Sequence, residues 1–397
     1  MLFRTLLVLL GVAGSLAAQD DPAAIRKQID DLHKVGQIAS TEPLLEQLMA
    51  IEQEASGENS DRLIPLLEQL ARVAIAQSRF DRAEQFYSRA QTIIETGQGK
   101  AAPALIPILI ATARMHQMAG DFAKAEVVLL RGIAVRIQAT GPQTSDIAGD
   151  YLLLARLYAS QKKYTQAVGV FGWTLDILEK LYGVDDPRLL PALDGIAGGA
   201  RENDEFDRAL LALSRALAIR QLNIGPAHPD LAQTLDSLGN LLFAMKRFEE
   251  SEAMYSRSLP IWIKNLGPTH PMIATSLDNL GVALAAQRKF EKAEEVYRQS
   301  LALRDEQSAA SLRNLGLVLS ARDKWADAEK YLKRGIQLAA DPSPVLASLL
   351  QEYADVLDHL RRKPEAVGLR ARARKMEAVL SEREKKLRPA ASPERVK

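Results

Sequence analysis

Three arginines stand 42 residues apart, Arg72, Arg114 and Arg156 (114 − 72 = 42). A guanidinium is planar, permanently charged and forked, so a row of them suits carboxylates or phosphate oxygens. Arg72 has Glu68 four residues before it, the spacing of a helical ion pair. Arg114 and Arg156 have no acidic residue three or four positions away on either side. Three aspartates keep the same period further along, Asp194, Asp236 and Asp278 (236 − 194 = 42), and Asn240, Asn279 and Asn314 add amides beside them. Arg313 and Gln351 interrupt the aspartate column, and Asp355 and Asp358 carry the acidic sense onward. The simpler alternative is that all of these are solvated charges on helix surfaces.

Little else in the chain could do chemistry. The five histidines (His33, His116, His228, His270 and His359) do not stand at the spacing of a metal motif such as H-E-x-x-H. His228 and His270 recur at the same period, each before a proline. That recurrence favours one structural job done twice at a helix entry over two ligands. There are no cysteines, which removes disulfides, thiol catalysis and thiolate metal sites. No nucleophile elbow, P-loop or dinucleotide fingerprint occurs. Gly198-Gly199 reads as a local weakness in a helix, and Asp185-Asp186 as a helix cap. No catalytic residue, metal site or cofactor is expected.

The elements that position these residues repeat. His228 to Gly239 is echoed by His270 to Gly281. An aromatic column runs Phe80, Phe122, Tyr164, Phe206, Phe248, Phe290, each 42 residues on (290 − 248 = 42). Nine residues before it stands a small residue: Ala71, Ala113, Ala155, Ala197, Gly239, Gly281. Three residues after it stands another: Ala83, Ala125, Ala167, Ala209, Ser251, Ala293. Beyond Gly281 the step shortens to 35, giving Gly316 and Trp325 (316 − 281 = 35), and a weaker last copy has Lys363 in place of the aromatic. Small residues at fixed positions allow two antiparallel helices to cross closely. Leu235, Leu238 and Leu242 keep the spacing of a buried helical stripe. One hairpin cannot bury that stripe alone, so the hairpins must stack. The expected fold is all-α, a right-handed superhelical solenoid of helix-turn-helix hairpins.

These columns resemble the tetratricopeptide repeat, over roughly residues 60 to 376, and the long period with His-Pro at a helix start is similar to the kinesin light chain variety. The early tryptophan and the closing proline of the family pattern are missing, and both concern packing. The resemblance implies that the unpacked face of each first helix lines a concave groove that binds peptides. It would place Arg72, Arg114, Arg156, Asp194, Asp236, Asn240, Asp278, Asn279 and Asn314 in that groove, basic at one end and acidic at the other. Neighbouring first helices about 10 Å apart would make the arginine row about 20 Å long, enough for some six extended residues.

The chain as a whole is nearly neutral, 51 basic against 50 acidic residues, so no nucleic-acid partner is expected. Residues 1–18 read as a secretory signal, with Arg4, an apolar run from Leu6, and small residues at Ser15 and Ala17 or Ala18. That run is shorter than the ~20 residues that span a bilayer, so no stable membrane insertion is expected after cleavage. Residues 19–60 are expected to form a degenerate helical cap with helices over Ala23–Val35 and Thr41–Glu54. Residues 61–376 would form about eight repeats, and 377–397 a basic helix and disordered tail. An exported, non-enzymatic scaffold binding a peptide or protein partner follows. The alternatives are a self-associating envelope module, or an enzyme with an unrecognised site.

Overall fold

The computed structural model describes residues 21–305 and 307–387. The leader read over residues 1–18 and the tail from Pro389 lie outside the described residues. Of the described residues 82% are helical and none is in a strand, which makes the chain an all-α repeat solenoid. It divides into two compact units, residues 1–203 and 204–397.

The first unit opens with α1 (Pro22–Lys34) and α2 (Glu42–Ser56), within a residue or two of the expected cap helices. Three hairpins follow: α3 (Ile64–Ala76) with α4 (Phe80–Gln98), α5 (Leu105–Met118) with α6 (Phe122–Thr140), and α7 (Ser145–Ser160) with α8 (Tyr164–Tyr182). The unit closes on α9 (Leu190–Glu202). The second unit holds α10 (Phe206–Ile224), then α11 (Pro229–Ala244) with α12 (Phe248–Leu266), α13 (Pro271–Ala286) with α14 (Phe290–Ala302), α15 (Ala309–Ala321) with α16 (Trp325–Leu338), and α17 (Pro344–His359) with α18 (Lys363–Leu387). In both units each helix packs on its sequence neighbours, the expected pattern for stacked hairpins.

The long period has a simple cause. Second helices in the 42-residue copies are 19 residues long, whereas α14 has 13 and α16 has 14. Each long helix ends on a glycine with positive φ and extended ψ (Gly99, Gly141, Gly183, Gly225, Gly267), a backbone region essentially restricted to glycine. Within the hairpins the tight turn also needs a left-handed residue. There the chain uses Ser78, Lys162, Asp204, Lys246, Arg288, Asp323 and Arg361, all near φ +60°, and a glycine only at Gly120. No glycine column marks that turn, so it was invisible in the sequence.

The small columns do what their spacing implies. A Cβ placed on Gly239 would lie 2.6 Å from the Tyr255 ring, and one on Gly281 would lie 2.7 Å from the Tyr297 ring. The Gly198-Gly199 pair splits in two. Gly199 is a close-packing position, where a Cβ would meet Val168 Cγ2 at 2.6 Å, while Gly198 faces open space. His228 and His270 cap α11 and α13, each accepting through Nδ1 from the backbone N–H two residues on, at 3.2 Å. Their repeated role is therefore structural. Pro187 opens a short 3-10 turn (Pro187–Leu189) ahead of α9 rather than the α-helix itself.

A glutamate column not singled out in the sequence ties repeat to repeat. Four residues after the aromatic, Glu84 meets Lys124 at 3.4 Å and Glu126 meets Lys163 at 3.2 Å in the first unit. In the second unit Glu252 meets Lys289 at 2.7 Å, Glu294 meets Lys324 at 2.9 Å and Glu329 meets Arg362 at 2.8 Å. Lys163, Lys289, Lys324 and Arg362 belong to the turn of the following hairpin, and Lys124 to the first turn of α6. The α18 helix also differs from expectation. It runs without a break from the last repeat to Leu387, past the boundary expected at residue 376, because no helix breaker intervenes. Ala366, Ala373 and Met376 form its buried stripe.

Candidate functional site

The arginine row lies on the first helices of the first unit. Arg72 on α3 is exposed and paired to Glu68 Oε2 at 3.4 Å, the helical pair that its spacing implies. Arg114 on α5 and Arg156 on α7 are exposed and make no hydrogen bond or ion pair among the described residues. Arg114 stands at the rim of a small notch lined by Ile110, Ala113, Leu129, Leu153 and Leu157, with Gln117 beside it. Asp150, whose charge Arg114 feels, is already engaged: Arg136 Nε donates to its Oδ2 at 2.6 Å. Burial pushes the Asp150 carboxyl up, and Arg136 and Arg114 only partly offset this.

The aspartate column is placed differently. Asp194 on α9 is exposed and interacts within the chain. Asp236 on α11 is half-buried. Ser258 Oγ donates to its Oδ1, and Trp262 Nε1 donates to its Oδ2 at 2.7 Å. Its carboxyl is raised by burial, with Ser258 and Trp262 opposing. Asn240 Oδ1 accepts from the Tyr255 hydroxyl at 2.7 Å. Asp278 on α13 accepts from Arg304 Nη1 and, at 2.7 Å, from Ser311 Oγ. Asn279 and Asn314 are half-exposed, and their side chains take part in no hydrogen bond among the described residues. Arg313 pairs with Glu352, and Arg370 bridges Asp355 and Asp358 at 2.7 and 2.6 Å.

The two ladders therefore have different chemical availability. Asp236 and, through Oδ2, Asp278 are engaged by donors from other segments of the second unit, whereas Arg114 and Arg156 are exposed and make no ion pair among the described residues. Sequence reasoning missed the partners of the aspartates. A signal for them exists: Asp236 to Trp262 and Asp278 to Arg304 share a spacing of 26 (262 − 236 = 26), with both donors in one column. Among the described residues there is no cluster of three or more His, Cys, Asp or Glu side chains able to hold a metal, and no helix long and apolar enough to cross a membrane.

Tetratricopeptide repeat family models match residues 151–188, 230–306 and 308–340. Over those residues the chain carries tetratricopeptide repeats. No curated relative matches it. Among solved structures it is similar to a signal transduction ATPase with numerous domains carrying a tetratricopeptide repeat sensor, from Pyrococcus horikoshii. That likeness has 17% identity and a TM-score of 0.54, covering 92% of this chain and 54% of the other. A Podosopora anserina structure of nearly identical kinesin light chain TPR-like repeats is 21% identical, with a TM-score of 0.46 over 51% of this chain and 96% of the other. A tetratricopeptide repeat protein from Parabacteroides merdae is 15% identical, with a TM-score of 0.49 over 70% of this chain and 96% of the other. At these identities the likeness concerns the fold. The fold is that of a scaffold for protein–protein interaction in general.

Proposed function

We propose that the protein is an exported, non-enzymatic scaffold that holds an acidic protein segment or chain terminus on the first-helix face of its first unit. The observation that carries this is the pair Arg114 and Arg156: consecutive copies of one repeat column, both exposed, neither in an ion pair or hydrogen bond among the described residues, with an apolar notch beside the first. Forked cations at a fixed spacing select for carboxylates. Export rests on the leader composition of residues 1–18. The acidic column of the second unit, occupied internally, is assigned to holding that unit together rather than to a basic segment of the partner.

The test is capture of partner proteins from cell-envelope extract at low salt by the mature chain. The double variant Arg114→Ala, Arg156→Ala should lose most of what the native chain retains, while Arg383→Ala, Arg388→Ala in the terminal basic segment should keep it. Full retention by the first variant and loss by the second would transfer the site to the terminal helix.

A further inference from the structure

In the second unit one ion pair on the same groove-lining register is poorly satisfied. Arg313 on α15 occupies the column held by Asp278 one repeat earlier, and its guanidinium reaches Glu352 on α17, the first helix of the next repeat. The Glu352 side chain is 14% exposed, and that of Arg313 is 32% exposed. Glu352 Oε2 and Arg313 Nε are both buried and have no hydrogen-bond partner. A charged pair removed from water with one donor and one acceptor unmatched recovers little of its desolvation cost. By contrast, Glu294 and Glu329 in the same unit are each surrounded by several donors.

The surroundings decide which partner yields. On its own helix Glu352 has Asp355, a like charge. From α18, Arg370 is committed to Asp355 and Asp358. From α16, Glu329 and Lys333 are committed to each other and turn to Tyr353. From α14, Tyr297 lies within reach of the charges of Asp278 and Arg313. Among the described residues, Arg313 is the cation that faces Glu352 as a counter-charge. Burial outweighs it, so the Glu352 carboxyl is pushed up to about 7. Arginine stays charged throughout, so a proton taken up near neutrality goes to Glu352.

We propose that the Arg313–Glu352 pair is a proton-operated latch, and that protonation of Glu352 frees Arg313 as a second anion-binding cation, on the second unit. The proton balance is simple: one proton enters, Glu352 becomes neutral, and the guanidinium keeps a charge that an acidic peptide can neutralise instead. Asp355 and Asp358 do not compete for Arg313 while Arg370 holds them. The second unit would then bind an acidic segment more tightly in mildly acidic surroundings than in alkaline ones.

The experiment uses the full mature chain and a rhodamine-labelled hexa-aspartate peptide, with affinity read by anisotropy at about pH 5.5 and about pH 8.5, where the peptide stays fully charged. It is done in the Arg114→Ala, Arg156→Ala background, so that failure of the first-unit site and failure of the latch are separate results. Binding should be about tenfold tighter at the lower pH, the worth of one charge-assisted hydrogen bond. Glu352→Gln should give the tight value at both pH values, and Arg313→Gln the weak value at both. Affinity that does not respond to pH, or a Glu352→Gln protein that still binds weakly at the higher pH, would overturn the proposal. If Glu352→Gln fails to fold, the carboxyl band of native Glu352, followed by infrared titration against Arg313→Gln, separates the same two outcomes. Titration near neutrality supports the latch, and titration in the ordinary carboxylate range means there is none.

Discussion

Replacing Gly281 by leucine should lower the stability of the second unit by about 1–3 kcal/mol or more, because the helix pair α13 and α14 must be pushed apart. The competing effect is real. Glycine inside a helix costs about 1 kcal/mol relative to alanine, so helix propensity alone predicts that even Gly281→Ala stabilises. Packing decides the sign. A Cβ at Gly281 would sit 2.7 Å from Tyr297 Cε1, and that ring is 1% exposed, with nowhere to move. Gly281→Ala should therefore also destabilise, while Gly198→Ala, on a helix with nothing within 4 Å of the new methyl, should stabilise by about 0.5–1 kcal/mol. Ala286→Leu, at an exposed position of the same helix as Gly281, should be close to neutral. Urea midpoints of the four variants check this, and equal shifts for Gly281→Ala and Gly198→Ala would show that the small column is not a packing column.

Acid should strip a second large contribution through Glu294. Its side chain is 10% exposed and takes Arg298 at 2.9 Å, Lys324 at 2.9 Å and Arg322. Burial raises its carboxyl, but hydrogen bonds from Lys324, Arg298 and Arg322 outweigh this and hold it down at about 2, below its ordinary 4.5. A carboxyl depressed in the folded state stabilises above its unfolded value and loses that contribution as pH falls toward the folded one. The window is therefore from about 4.5 down to about 2. The gap is worth about 3 kcal/mol at face value. About 1–3 kcal/mol is expected, since the cations around it are partly exposed and screened. Glu294→Gln should lose that amount near neutral pH and show a flatter stability profile across the window. An unchanged acid profile would mean the hub contributes nothing.

The fold was legible because its determinants are one-dimensional. Ala71, Ala113, Gly239 and Gly281 can be small for only one reason when they recur in phase with an aromatic nine residues on. The turn residues Ser78, Lys246 and Arg288 were not legible, since a left-handed conformation forced by the helix crossing leaves no mark when the residue is not glycine. Of the site, Arg114 and Arg156 could be placed because no acidic residue lay within a helical turn of either. The aspartates misled, because the donors that occupy them come from other segments. Trp262 and Arg304 lie 26 residues beyond their acids (304 − 278 = 26), a distance that only the stacked hairpin closes. The continuity of α18 was hidden by its composition, a basic surface over a sparse stripe of Ala366, Ala373 and Met376.

The most direct test of the central claim, that the first unit offers cations while Asp236 and Asp278 of the second are already occupied, is a pair of titrations at neutral pH and low salt. The native chain receives rhodamine-labelled hexa-aspartate and, separately, hexa-lysine. The expected result is saturable binding of hexa-aspartate that weakens as salt shortens the screening length to about 8 Å, and that falls to a weak residue in Arg114→Ala, Arg156→Ala, with no saturable binding of hexa-lysine. Tight binding of hexa-lysine that is lost in Asp236→Asn, Asp278→Asn would contradict it, because those carboxylates would then be open to a partner rather than held by Trp262 and Arg304.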